Sequence, residues 1–210
     1  MDIKLSGMRE TLQKPLNNKA RILLVVGAIA LIPTFFFPLW YMKFWSYQYP
    51  DSLTLYIYSH QLDGGDDGND ITEINILNHY IGMAELEEEN FSELKWIPLA
   101  IGIFIVLTMR AAVFAQVGKV VDVLMLFSYF GCFSLWSFWY NLSSYGQNLD
   151  PKASVNIEPF TPPLFGFEQV GQFKVWSYPH ISSYLMGIFA LLLVIAIVLS
   201  LKTRNQSGMK

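Results

Sequence analysis

The hydrophobic positions of this chain form long apolar segments that alternate with polar stretches. The apolar segments lie at about residues 22–42, 97–116, 120–142 and 181–201. Each is close to the roughly 20 residues that a helix needs to cross the hydrocarbon core of a bilayer. The polar stretches at about 43–95 and 143–180 form large loops between them. The pattern predicts an all-α membrane protein, a four-transmembrane-helix bundle that forms a single membrane domain over residues 1–210.

Shorter patterns predict structure inside the two loops. Leu53, Leu55 and Ile57 alternate with polar or aromatic positions, which is typical of a strand. Residues 155–157 and 173–176 are candidates for short strands that pair with it. We expect the two loops to form a small mixed α/β cap that buries several apolar side chains of the second loop: Phe160, Leu164, Phe165 and Phe167.

The first apolar segment contains two prolines near its end. Pro33 and Pro38 predict a kink or an early stop of the helix, because proline cannot donate a backbone hydrogen bond. The aromatic residues that follow, among them Trp40, Tyr41 and Trp45, are typical of an interfacial belt.

Composition supports the membrane prediction. Hydrophobic residues make up 53% of the chain, and charged residues only 15%, against roughly 25% in a typical soluble domain. The lipid bilayer is therefore the first expected partner. The net charge is −3, and most acids lie in the first loop, so a nucleic-acid partner is disfavoured.

The basic residues predict the orientation. Of the 14 Lys and Arg residues, only Lys43, Lys95, Lys152 and Lys174 lie in the two large loops. The positive-inside rule then places both termini in the cytoplasm and both loops outside it. All three histidines lie in or at the end of these extracytoplasmic loops.

The stretch 71–83, ITEINILNHYIGM, holds the strongest candidate chemistry. If it is helical throughout, Asn75, His79 and Met83 share one face, and imidazole with thioether is a pair suited to copper. Such a site needs a third ligand, which His60 or His180 would have to supply. In the alternative, His79 and the asparagines hydrogen-bond loop carbonyls, Gly82 closes the helix, and Met83 packs as an apolar side chain.

Other chemistry has little support in the sequence. The acidic, glycine-rich stretch 63–70 is predicted to be a solvated loop. The alternative is a calcium site, although its carboxylates do not have the spacing of an EF-hand loop. No CxxCH motif, phosphate-binding glycine loop or hydrolase motif is present, and none of the apolar segments contains histidine. We therefore expect no enzymatic activity, no certain cofactor, and copper as the one metal to test.

Several spaced motifs together resemble a known family. They are PLW at 38–40, QYPDSLTLYIY at 48–58, EINILNHYIGM at 73–83, YGQNLDPKASVNI at 145–157 and PPLFGFEQVGQF at 162–173. This combination resembles an uncharacterised family of small four-span membrane proteins. Its members tend to be encoded beside maturation factors for nitrous-oxide reductase, a copper enzyme, mainly in Bacteroidetes-type bacteria. Where the family often reads YGHNLDP, this chain has Gln147, which removes a potential metal ligand.

The resemblance implies an accessory protein of the bacterial inner membrane. It would dock a periplasmic copper enzyme or its maturation machinery, or handle copper for it, with other membrane or periplasmic proteins as partners. Within the shared motifs we expect an interaction surface made of these residues: Asn75, Asn78, Tyr80, Gly82, Asp150 and Pro151. The alternative is a structural subunit of a larger respiratory or transport complex that binds no metal.

The predicted orientation can be tested by cysteine labelling in intact cells. Cys132, the only cysteine, is first replaced by serine. A membrane-impermeant maleimide should then label Asp67→Cys, in the first loop, but not Ser207→Cys near the C-terminus. Labelling of Ser207→Cys but not of Asp67→Cys would show that the protein has the opposite orientation.

Overall fold

A computed structural model describes residues 10–155, 157–170 and 173–207, and side chains up to residue 202 within these ranges. The helices are α1 Asn18–Ala30, α2 Asn69–Ile81, α3 Glu93–Phe114, α4 Val117–Gln147 and α5 Ile181–Ser207. The strands are β1 Trp40–Ser46, β2 Tyr49–Ile57, β3 Leu62–Gly64, β4 Gly166–Val170 and β5 Phe173–Pro179.

The prediction of four helical segments long and apolar enough to cross a membrane is confirmed. Among the described residues they are Asn18–Phe35, Glu93–Phe114, Val117–Gln147 and Ile181–Lys202. At most 33% of the residues in any of their apolar windows are buried within the protein. Their remaining apolar surface is therefore suited to lipid or to further helices.

The first of these segments ends earlier than its hydrophobicity suggests. Helix α1 stops at Ala30 and is followed by a 3₁₀ turn, Ile32–Phe35, that contains Pro33. Residues 40–42, which the apolar pattern includes in the first helix, lie in β1 instead. The early stop expected from Pro33 and Pro38 is confirmed, and the aromatic residues that follow belong to a strand.

One compact unit comprises the described parts of Met1–Thr34, Leu99–Gly131 and Tyr184–Lys210. Its core is built by aromatic and small side chains from the four long helices. The ring of Phe127 lies 5.2 Å from that of Phe104 and 4.9 Å from that of Phe189, in both cases edge to face. A Cβ atom on Gly27 would lie 3.3 Å from Phe189, so glycine allows α1 to approach α5 closely.

Backbone pairing ties the chain before α1 to the short turn between α3 and α4. Pro15 and Gln116 form an isolated antiparallel bridge. The Leu16 amide donates to the Ala115 carbonyl at 2.8 Å, and the Val117 amide donates to the Lys14 carbonyl at 2.9 Å. These bonds satisfy backbone groups that the helix ends leave without intrahelical partners.

A second compact unit comprises Phe35–Pro98 and the described part of Cys132–Ser183. It contains a five-stranded antiparallel sheet in the order β3-β2-β1-β5-β4. Helix α2 packs on one face of the sheet, so this unit is the small mixed α/β structure that the loop patterns predict. The strand predicted from Leu53, Leu55 and Ile57 is β2.

The strand pairing differs from the prediction in two respects. β5 pairs with β1 and β4 rather than with β2, because β1, which the sequence patterns did not predict, lies between them. In the segment 155–157, the described residues Val155 and Ile157 are not in a strand. The Val155 amide donates instead to the Tyr80 carbonyl at the end of α2.

The core of the sheet unit surrounds Trp40. Its buried members are Trp40, Met42, Leu53, Leu55, Ile74 and Val175. The Trp40 indole N–H donates to Ser177 Oγ at 2.8 Å, and the ring meets Phe165 at 4.8 Å and Phe138 of α4 at 5.4 Å. Phe165 and Phe167 are nevertheless 54% and 51% exposed, so the prediction that the cap buries them is wrong.

A hydrogen bond between Tyr49 and Glu73 connects β2 to α2. The Tyr49 hydroxyl donates to Glu73 Oε2 at 2.9 Å. Partial burial and then the Glu73 carboxylate raise the pKa of Tyr49 above its ordinary value. The phenol therefore remains a donor throughout the neutral range.

The acidic stretch 63–70 is folded at its ends and exposed in its middle. Asp66 and Asp67 are exposed, in agreement with a solvated loop. Asp70 is buried, and its Oδ2 accepts a hydrogen bond from the Thr54 amide at 2.8 Å. This carboxylate joins the first turn of α2 to β2.

Replacement of Asp70 by alanine should therefore destabilise the sheet unit. The Thr54 amide would lose its acceptor in a buried position, at a cost of about 1–3 kcal/mol. Thermal unfolding of the purified protein in mild detergent measures the effect. Asp51→Ala, the same change at an exposed position of β2, is the control and should leave the transition almost unchanged. Equal shifts for both variants would contradict this role of Asp70.

Candidate functional site

Helix α2 ends at Ile81, before the stretch 71–83 is complete. Gly82 has φ 78°, a left-handed conformation that favours glycine. The Met83 amide donates to the Asn78 carbonyl at 2.8 Å, and the Gly82 amide donates to the His79 carbonyl at 3.3 Å. These two bonds form the glycine-terminated helix end of the alternative interpretation. Met83 therefore lies beyond the helix and does not continue the face of Asn75 and His79.

The asparagines of α2 bind the chain that follows the helix. Asn75 Oδ1 accepts from the Leu86 amide at 2.8 Å, and Asn78 Nδ2 donates to the Ala84 carbonyl at 3.4 Å. Asn78 is buried. Asn75 and Asn78 both belong to the expected interaction set, and their side chains hold the segment 84–86 against α2.

Gly82 also lies against the second loop. Its carbonyl accepts from the Asp150 amide at 2.8 Å. A Cβ atom at this position would lie 2.8 Å from the Asp150 carbonyl oxygen and 2.9 Å from the Ala153 Cβ. The two motifs NHYIGM and NLDPKASV are thus joined by their backbones, and Gly82 and Asp150, both in the expected interaction set, are in contact.

The second loop is ordered locally by Asp150. Its Oδ1 accepts from the Lys152 amide at 2.9 Å, and its carbonyl accepts from the Ala153 amide at 3.1 Å, with Pro151 between them. This is an aspartate-stabilised turn with proline at the position where a fixed φ is favourable. The turn presents the Asp150 amide to Gly82.

A small open cavity lies beside this contact. Its volume is about 200 Å³, and its lining is mainly aliphatic: Ile81, Leu149, Pro151, Val155, Ile157 and Pro159, with Gln147 and Asp150 as polar members. A cavity of this size can accept one apolar side chain but is smaller than the roughly 300–1,000 Å³ of a typical small-molecule site. Gln147 lies in the wall and donates through Nε2 to Thr161 Oγ1 at 3.3 Å.

The α2 surface next to the cavity is exposed and largely apolar. Ile76, Tyr80 and Val155 are 44%, 53% and 49% exposed, and His79 is exposed beside them. Ile76, His79 and Tyr80 share a helix face because they are spaced by three and four residues. We call these four residues the α2 surface.

The three histidines have different surroundings. His60 is exposed, with its ring 6.1 Å from that of Tyr58. His180 lies between the rings of Tyr41 and Tyr56, at 5.7 Å and 5.8 Å. Across the described ranges, no group of three or more His, Cys, Asp or Glu side chains is placed to hold a metal ion. The described histidines therefore form no such group among themselves or with Cys, Asp or Glu, and the turn at Gly82 places Met83 outside the helix that carries His79.

A group of hydrogen bonds to the Glu93 carboxylate, between α3 and α4, was not predicted from the sequence. Glu93 Oε1 accepts from the Ser137 hydroxyl and, at 2.9 Å, from Asn141 Nδ2. Ser92 Oγ donates to Glu93 Oε2 at 3.3 Å. The spacing of Ser137 and Asn141, four residues apart on one helix, was the available signal. These hydrogen bonds fix the start of α3 against α4.

No family model, curated protein or solved structure matches this chain. Its function is therefore inferred from the site geometry and from the motifs.

The contact at Gly82 can be tested with a matched pair of glycine variants. Gly82→Ala should destabilise the protein by about 2–5 kcal/mol, the sum of left-handed backbone strain and overlap with the second loop. Gly68 has φ +91°, but a Cβ atom there would meet no atom within 4 Å, so Gly68→Ala should cost only the strain, about 1–2 kcal/mol. Thermal or denaturant unfolding compares the two. Equal losses would show that Asp150 and Ala153 do not constrain Gly82.

Proposed function

We propose that this chain is an accessory membrane protein whose α2 surface docks a periplasmic protein. The partner is a copper enzyme of the nitrous-oxide reductase type or a component of its maturation machinery, as the motif resemblance implies. The four long helices would anchor the chain in the bacterial inner membrane with both termini in the cytoplasm. The sheet unit would then face the periplasm.

The exposure of the α2 surface carries this proposal. Ile76, Tyr80 and Val155 expose apolar area on a backbone that is held by hydrogen bonds from Asp150 and Val155. Exposed apolar residues on rigid backbone are favourable for binding because little conformational entropy is lost. The aliphatic cavity beside them can accept one anchoring side chain of a partner.

The geometry favours docking over copper handling by this chain alone. His79 offers one exposed imidazole, and among the described residues no group of three or more His, Cys, Asp or Glu side chains could complete a metal site around it. A single imidazole is too few ligands for a stable copper site. Any copper contact at His79 would need ligands from the partner.

One observation favours the second candidate, a structural subunit of a larger respiratory or transport complex. Phe133, Trp136 and Tyr140 on α4 are 51%, 55% and 57% exposed and share one helix face. Their rings follow one another at 5.8 Å, and Trp96 extends the row at 5.5 Å from Phe133. Such a row is suited to packing against a helix of another subunit.

The two candidates predict opposite effects of two matched aromatic substitutions. The tagged protein is purified from its native membrane in mild detergent, and co-purifying proteins are quantified by mass spectrometry. Under the docking proposal, Tyr80→Ala should reduce recovery of a periplasmic partner by about thirtyfold, as expected for a central aromatic contact. Trp136→Ala, at similar exposure on α4, should not.

Reduced recovery of co-purifying proteins with Trp136→Ala, together with unchanged recovery with Tyr80→Ala, would support the structural subunit. Full recovery of the periplasmic partner by Tyr80→Ala would end the docking proposal. Both variants should accumulate at normal levels, since both side chains are exposed. His79→Ala should also accumulate normally, because its imidazole has no hydrogen bond to another described side chain or backbone group.

A further inference from the structure

The sheet face opposite α2 carries aromatic and basic side chains. Along β1, Trp40 and Met42 point into the core, so Tyr41 and Lys43 point to the other face. Tyr41 is paired with Tyr56 on one side and with Tyr178 on the other. We call Tyr41, Tyr56 and Tyr178 the tyrosine row.

Lys43 lies in the next row of this face. It is exposed and is paired with Trp176 of β5. Lys174 lies one row farther along the same face, opposite Trp45, and its ammonium is 4.8 Å from the centre of the Trp45 ring. Among the described side chains of the sheet, Asp63 is the carboxylate paired with the tyrosine row, next to Tyr56 at the β3 edge.

The tyrosine row lies next to the start of a candidate membrane helix. β5 ends at Pro179, and α5 begins at Ile181. The Ser182 hydroxyl donates to the Phe37 carbonyl at 2.6 Å, and the Ser183 hydroxyl donates to the Leu39 carbonyl at 2.6 Å. The start of α5 is therefore fixed to the chain that leads into β1.

Distances along the strands give the spacing of these side chains from Trp40, which is paired with Pro179, two residues before α5 begins. The headgroup layer on each side of a membrane is roughly 5–8 Å thick. At about 3.3 Å per strand residue, Tyr41 lies roughly 3 Å and Lys43 roughly 10 Å beyond Trp40. These spacings are comparable with the thickness of the headgroup layer, and the flexible Lys43 side chain can extend back toward the tyrosine row. Lys174 starts roughly 7 Å farther along the strands.

The chemistry of this face suits a lipid phosphate. Tyrosine rings favour the boundary between hydrocarbon and water, and their hydroxyls can donate to phosphate oxygens. A lysine near an anionic membrane surface contributes charge attraction. In addition, Nδ1 of His180, which lies between Tyr41 and Tyr56, is buried without a hydrogen-bond partner among the described residues.

We propose that Lys43 and the tyrosine row bind the headgroup of an anionic phospholipid. The ammonium of Lys43 pairs with the lipid phosphate, and the tyrosine hydroxyls donate to its oxygens. Asp63 lies at the β3 end of the row, so the phosphate lies toward Lys43 and Tyr178. This inference depends on the long helices crossing a membrane and is independent of the docking partner.

The test uses the full-length protein in nanodiscs of phosphatidylcholine, with and without phosphatidylglycerol. Native mass spectrometry after gentle release counts the phosphatidylglycerol molecules that remain bound. Lys43→Gln should reduce retention by about fivefold. Lys174→Gln, on the same face but farther along the strands from the tyrosine row, should retain as much as the unchanged protein. Circular dichroism verifies that both variants are folded.

Four outcomes would overturn the proposal. Three of them are equal retention by Lys43→Gln and the unchanged protein, equal loss in both lysine variants, and equal retention of phosphatidylcholine and phosphatidylglycerol. Glycerol phosphate added in solution should not displace the lipid. Displacement would mean that the site recognises free phosphate rather than a lipid.

Discussion

Hydrogen bonds at the junction of β1, β5 and α5 are the constraint on which the sheet unit depends. A chain that passes from an apolar helix to a strand must satisfy its backbone groups where water is scarce. Here the His180 and Ser182 amides donate to the carbonyls of Leu39 and Pro38. The Ser182 hydroxyl donates to the Phe37 carbonyl, and the Ser183 hydroxyl donates to the Leu39 carbonyl, which therefore accepts two hydrogen bonds. These bonds fix the central strands beside the start of α5, and the core around Trp40 is built on them.

The long helices were predictable because their signal is local and large. About 20 apolar residues in sequence leave few alternatives, and Pro33 marks the early end of the first segment. β1 was missed because its residues, such as Trp40 and Met42, continue the apolar run of α1 without an obvious break. In a strand that is buried on one face, alternate residues of this run point to the core and to the opposite face, which carries Tyr41 and Lys43. Hydrophobicity alone does not distinguish the two sets of residues.

The candidate site was predictable in its parts and not in its assembly. Gly82 at a helix end is a local signal, and the structure confirms it. The contact between Gly82 and Asp150 joins positions far apart in the sequence, and no periodicity reports such a contact. The helical face predicted for Asn75, His79 and Met83 ends before Met83, because the left-handed turn at Gly82 places Met83 beyond the helix. The same turn leaves His79 and Tyr80 exposed at the end of α2.

The order of strands in the sheet has a consequence for biosynthesis. β1 is flanked by β2, its neighbour in sequence, and by β5, which begins at Phe173. A ribosome has therefore released α3 and α4 before β1 can acquire its second partner. Until then one edge of β1 carries unpaired amides and carbonyls, which are open to misassembly and to recognition by chaperones or proteases. In a nascent chain that stalls before β5, this edge of β1 would stay unpaired. The exposed edge would therefore distinguish an incomplete chain from one in which the last strand has been synthesised.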